Sequence, residues 1–128
     1  LRAAYAFVDA ENRSAGDPTF GNELARRPQH AATLSFDWAP VPGRTFVPVI
    51  GGDLRIVGDA FDNATNTVAL DAYTLFDLRV SVPIGAIGGD RPIEVFGRVE
   101  NLFDEDYQTA AGYNQAPRGV FAGIRVGL

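Results

Sequence analysis

The 128-residue chain contains no cysteine, no methionine and, among its 11 basic residues, no lysine. Without cysteine there are no disulfide frameworks, thiolate metal sites or cysteine nucleophiles. The compartment stays open, because exported proteins also do without cysteine. The all-arginine basic set, in a chain rich in Ala and Gly, reads as a coding bias. The chain opens at Leu1 with no charged-then-apolar leader, so we expect a fragment or a processed product. No apolar run approaches the ~18 residues of a transmembrane helix, which excludes a helical membrane protein. No segment keeps a 3.6-residue period either. The net charge of -5 gives no electrostatic grip on nucleic acid, whose binding depends on neutralised phosphates.

What the chain does have is two-residue alternation. Hydrophobic residues make up 46% and charged residues 21%, the balance of a folded chain. In residues 32–38, Ala32, Leu34, Phe36 and Trp38 alternate with Thr33, Ser35 and Asp37. Residues 74–82 set Phe76, Leu78, Val80 and Val82 against Leu75, Asp77, Arg79 and Ser81. Residues 93–100 set Ile93, Val95, Gly97 and Val99 against Glu94, Phe96, Arg98 and Glu100. The final segment places Val120, Ala122, Ile124, Val126 and Leu128 opposite Phe121, Gly123, Arg125 and Gly127. Two weaker strands complete the set. Residues 1–10 offer either Ala4, Ala6 and Val8 or Ala3, Tyr5 and Phe7 as the apolar face, and 44–58 is interrupted by Pro48 and Gly51-Gly52. A proline inside a strand implies a bulge or an unpaired position.

The connections alternate in length. APVPG at 39–43 and the GAIGGD stretch at 85–90 are compact, whereas 10–28, 59–69 and 101–117 are long and polar. In an antiparallel up-and-down meander of about six strands, this puts every tight turn at one end and every long loop at the other. Outer-membrane barrels show that asymmetry. A strand of ~10 residues at ~3.3 Å each, tilted ~45°, rises ~23 Å, close to the ~25 Å apolar band of such barrels. A soluble β-sandwich also alternates, but it buries the apolar side against a second sheet and has no rule of loop length. The mixed-sign second face of Asp77, Arg79, Glu94, Arg98, Glu100 and Arg125 suits a wet lumen, and equally a plain solvated face. Trp38 and Phe46 flank the first tight turn, while Tyr73, Phe103, Tyr107 and Tyr113 lie near long-loop ends, where aromatic girdles sit at headgroup level.

The segment RVENLFDEDYQTAAGYNQAPRGVFAGIRVGL resembles the C-terminal end of TonB-dependent outer-membrane receptors, through Asn101, Leu102, Phe103, Asp104, Tyr107 and Arg118. Upstream, RRPQHAATLSFDW and LDAYTLFDLRVSV resemble strands of the same family, so the likeness spans residues 1–128 as one domain. Gly112-Tyr113-Asn114 is most similar to the cobalamin receptor branch. The resemblance implies the C-terminal part of a barrel of ~22 strands, closed by a plug and worked by TonB. It implies active transport of a scarce nutrient, cobalamin or a siderophore, with lipid, plug and the remaining strands as partners. Family members usually end in an aromatic residue, where this chain has Leu128. The alternative from the residues alone is a soluble antiparallel module that binds a ligand or a protein.

Enzymatic chemistry finds no support. His30, the single histidine, has no cysteine nucleophile or serine motif beside it, so a structural or rim role is expected. The carboxylates of DEDY at 104–107 lack EF-hand spacing and read as a solvated outer loop. Glu94 and Glu100, with Arg98 between them, read as an ion-pair ladder and not as a glycosidase pair. GAIGGD follows no phosphate-binding pattern and reads as a turn. Asn12 and Asn63 head sequons that carry no meaning in a bacterial outer membrane. No residue is assigned to catalysis, cofactor or metal.

Overall fold

The computed structural model describes residues 1–40, 47–87 and 91–127. Six long strands form one antiparallel sheet: β1 (Arg2–Phe7), β2 (His30–Trp38), β3 (Val49–Val57), β6 (Tyr73–Ile87), β7 (Arg91–Glu100) and β10 (Gly119–Val126). The spatial order β1-β2-β3-β6-β7-β10 follows the chain, so the sheet is an up-and-down meander. Two small hairpins stand in the long connections, β4 (Ala60–Phe61) with β5 (Ala69–Leu70), and β8 (Gln108–Ala110) with β9 (Tyr113–Asn114). The alternation had marked these stretches only as loops.

The register carries the period-2 pattern across the whole sheet. Ala3, Leu34, Leu54 and Phe76 lie in one row, and Val82, Val95 and Ile124 in another. Paired residues share a face. The pairing of Tyr5 with Ala32 therefore settles the ambiguous first strand in favour of Ala3, Tyr5 and Phe7 as its apolar side. Among the described residues nothing covers this side: Val120 and Ile124 stay 73% and 69% exposed. Among the described residues only Ala60, Leu70 and Leu75 are buried apolar side chains. A soluble sheet of this size would have hidden one face under a second layer.

Two expectations at the strand ends change. Pro48 lies just before Val49, outside β3, because it has no N–H to give the ladder. Strand β6 runs on through Gly85 and Ala86 to Ile87, so the start of GAIGGD is strand and not turn. The same chemistry places an irregularity there: the register shifts between Pro83 and Gly85, a bulge next to a residue without a donor. The rest of that stretch, most of the turn at 39–43, Phe46 and Leu128 lie outside the described residues.

Gly51 and Gly52 do not interrupt β3; they are paired on both sides within it. A Cβ on Gly51 would collide with the Arg79 guanidinium, and one on Gly52 would stand 2.5 Å from the Phe36 ring and 2.9 Å from that of Phe76. The glycine pair leaves room for an arginine on one face and two aromatic rings on the other. Glycine lets neighbouring side chains close over the backbone in this way.

Strands β1 and β10 each leave one backbone edge unpaired in this sheet. Unpaired edges beside an apolar face template association with other chains. Residues 1–128 produced alone are expected to aggregate on refolding into buffer. Sedimentation velocity checks this, and a dispersed monomer with cooperative unfolding would contradict the reading of the apolar side.

Candidate functional site

The charged face of the sheet is organised around Arg79. Its guanidinium passes over Gly51 and donates to Asp53 on β3 and, at 2.6 Å, to Asp37 on β2, spanning three strands. Two directly opposite pairs at the centre have like charge, Asp53 with Asp77 and Arg79 with Arg98. Arg98 instead meets Glu100, two residues along its own strand, at 2.8 Å and Asp77, diagonally across, at 4.0 Å. The expected ladder changes in one detail. Glu94 pairs with Arg125 at 3.2 Å and not with Arg98, because Arg125 is its direct cross-strand partner. Arg125 also lies over the Phe96 ring at 5.3 Å. These groups line a hollow of about 540 Å³ with Asp37, Arg79 and Arg98.

At the long-loop end, the Asn-Leu-Phe-Asp block is a folded corner. Asn101 is buried at 6% exposure, with φ at 48°. Its N–H donates to the Asp77 carboxylate at 2.9 Å, its amide nitrogen donates to the Glu105 carbonyl, and its amide oxygen accepts from the Glu105 N–H. Asp104, at φ 58°, accepts from the Arg118 N–H at 2.8 Å, and Arg118 donates back to the Leu102 carbonyl. The Phe103 ring stacks on Phe76, of the apolar face, at 6.0 Å. The residues that carried the family likeness are thus those that close β7 onto the start of β10. Of the DEDY carboxylates, Asp104 is used in this corner. Among the described residues no three His, Asp or Glu side chains gather as a metal site.

His30 stands at the same end of β2, on the apolar side, where its Nδ1 lies 2.8 Å from the Tyr5 hydroxyl and its ring 5.1 Å from that of Phe7. This aromatic group was not anticipated, since Tyr5 and Phe7 sat in the weakest strand pattern. Tyr73 departs from the expected girdle. It pairs with Val57 on the charged side and packs against Tyr107, ring centres 4.5 Å apart. Trp38 is exposed on the apolar side at the opposite end. Asn12 and Asn63, read as idle sequons, hold loop turns: Asn12 accepts from the Ser14 N–H, and Asn63 from the N–H groups of Thr67 and Val68.

The first two long loops meet at Arg26 and Asp62, 2.7 Å apart. The guanidinium hydrogen bond holds the Asp62 carboxyl below its ordinary range, with help from the Ala111 N–H of the third loop. A lowered carboxyl pKa gives an interaction that is complete above the ordinary value and lost as pH falls through the lowered one. Backbone exchange around Arg26 and Asp62 is therefore expected to stay flat from neutrality down past the ordinary Asp range, ~3.9, and to accelerate only below it. Hydrogen exchange across a pH series, corrected for intrinsic rates, measures this.

The comparisons with known proteins agree with this geometry. Residues 1–102 match the family model described as TonB dependent receptor-like, beta-barrel. The chain belongs to the TonB-dependent receptor β-barrel family. It is 29% identical over 119 residues to the vitamin B12 transporter BtuB of Photobacterium profundum, covering 93% of this chain and 17% of that protein. The crystal structure of BauA, the ferric preacinetobactin receptor from Acinetobacter baumannii, superposes with a TM-score of 0.83 at 20% identity. That match covers 95% of this chain and 18% of BauA. The chain thus spans less than a fifth of these two relatives, a transporter and a receptor. As a TonB-dependent receptor β-barrel segment it belongs to the outer membrane.

Proposed function

We propose that these six strands form the C-terminal portion of the barrel of an outer-membrane, TonB-dependent active transporter for a scarce nutrient, cobalamin or a ferric siderophore. The observation that carries the reading is the continuous, uncovered apolar side of the sheet, backed by a charged side and crowned at one end by all three long loops. A soluble binding module would need protein over Val120 and Ile124, and the described residues supply none. The partners are outer-membrane lipid, the remaining barrel strands and plug, the TonB complex, and the nutrient. The wall strands do no chemistry. They keep the lumen wet and polar, and the loops at 10–28, 59–69 and 101–117 contribute to the external mouth.

The test uses the full-length receptor. Environment-sensitive labels at Leu78, Val80 and Val126 should report lipid, and cells carrying the receptor should take up cyanocobalamin or a ferric siderophore only when TonB is present. Labels reporting water or tight protein packing would overturn the wall assignment, and uptake without TonB would overturn the coupling.

A further inference from the structure

The three long loops are stitched to one another by side chains. The first loop is itself an irregular ladder: the Leu24 N–H donates to the Ala10 carbonyl and the Asn12 N–H to the Asn22 carbonyl, both at 2.8 Å. Asn66, from the second loop, extends that ladder sideways. Its side-chain oxygen accepts from the Glu23 N–H at 2.8 Å and its nitrogen donates to the Glu23 carbonyl at 3.1 Å, the two bonds a neighbouring strand would make. With φ at 52°, Asn66 sits in the left-handed region that asparagine tolerates, which aims the amide at Glu23. Nearby, Asn22 donates to the Ala64 carbonyl, the Arg26 N–H to the Phe61 carbonyl, and the Arg26 guanidinium to Asp62. The third loop joins through strand β8, which packs against β5. A cleft of about 170 Å³ is lined by Arg26 and Pro28 of the first loop, Asp71 of the second, and Gln108 and Thr109 of the third.

We propose that Asn66 and the Arg26–Asp62 pair are positioning residues that weld the three loops into one body, so that this side of the mouth moves as a block and the loss of one of these inter-loop bonds is felt beyond the loop that carries it. The word mouth rests on the transporter reading; the coupling itself does not. Loops that fluctuated independently would have their hydrogen bonds within each loop, as Asp17 does with the N–H and hydroxyl of Thr19. Bonds between residues 36 and 43 positions apart, made by side chains at the tips, have no purpose in independent loops.

Hydrogen exchange of the full-length receptor in detergent micelles, read separately over residues 10–28, 59–69 and 101–117, tests the proposal. N66A is expected to speed exchange in the first loop as well as the second by about tenfold, the loss of two ordinary hydrogen bonds. R26D and D62R should each loosen all three loops, and the double swap R26D/D62R should restore them. D17A, a local control, should affect the first loop alone. Unchanged heat-modifiable gel mobility shows that each variant keeps its barrel. For N66A, R26D or D62R, faster exchange confined to the substituted loop, or a double swap that restores nothing, overturns the proposal. Coupled loops without nutrient uptake would overturn the transporter reading alone.

Discussion

Replacing Val80 with arginine in the full-length receptor is expected to destabilise the barrel by about 2–4 kcal/mol, the cost of a cation at the middle of the lipid-facing band. Val80 lies at the centre of the 15-residue β6, between Ile50 and Gly97 on the apolar side. Ser81, the next residue, lies on the opposite, charged face and pairs with Phe96. S81R should therefore cost only about 0–1 kcal/mol, since that side is wet. Denaturant titration of the two variants in the same lipid, followed by tryptophan fluorescence, gives both numbers. Equal costs would mean that the two sides see the same solvent, which no barrel wall allows.

The second large effect is expected at Asn101. N101A removes a buried amide that satisfies both the N–H and the carbonyl of Glu105, and leaves an alanine at φ 48°. Unsatisfied buried polar groups cost ~1–3 kcal/mol and a left-handed non-glycine residue about 1 kcal/mol more. A total loss of about 2–4 kcal/mol is expected. N101G keeps the backbone relaxed and should recover the conformational part only, about 1 kcal/mol. The difference between the two variants separates strain from hydrogen bonding. If both unfold at the same denaturant concentration, the backbone conformation is not held against resistance.

The sheet was legible in the residues because an apolar face and a charged face leave an alternation that nothing else in the strand overrides. Phe76, Leu78, Val80 and Val82 appear on the expected side, and Asp77, Arg79 and Ser81 on the other. Gly51-Gly52 misled because a strand pattern counts side chains, and these two positions serve neighbours: Arg79 above one, Phe36 and Phe76 around the other. The partner choice of Glu94 depends on register, which one strand's pattern does not contain. The loops were opaque for a similar reason. Asn63, Asn66 and Asn101 act through hydrogen bonds to backbone atoms, and polarity alone does not say which asparagine turns inward. Asn101 was still noticed, through family likeness, and its burial gives that likeness a physical cause.

The adjacent glycines of β3 bear on how the barrel assembles. A slip of one residue between β3 and β6 would turn apolar side chains onto the charged face and is forbidden by that alone. A slip of two residues keeps every side chain on its proper side, and would even bring Asp53 level with Arg79. What rejects it is shape: Asp53 or Val49 would replace Gly51 beside the arginine, and Leu54 or Ile50 would replace Gly52 beside the Phe76 ring. A notch cut on both surfaces at one point works as a key, choosing the single alignment that membrane and charge together leave undecided.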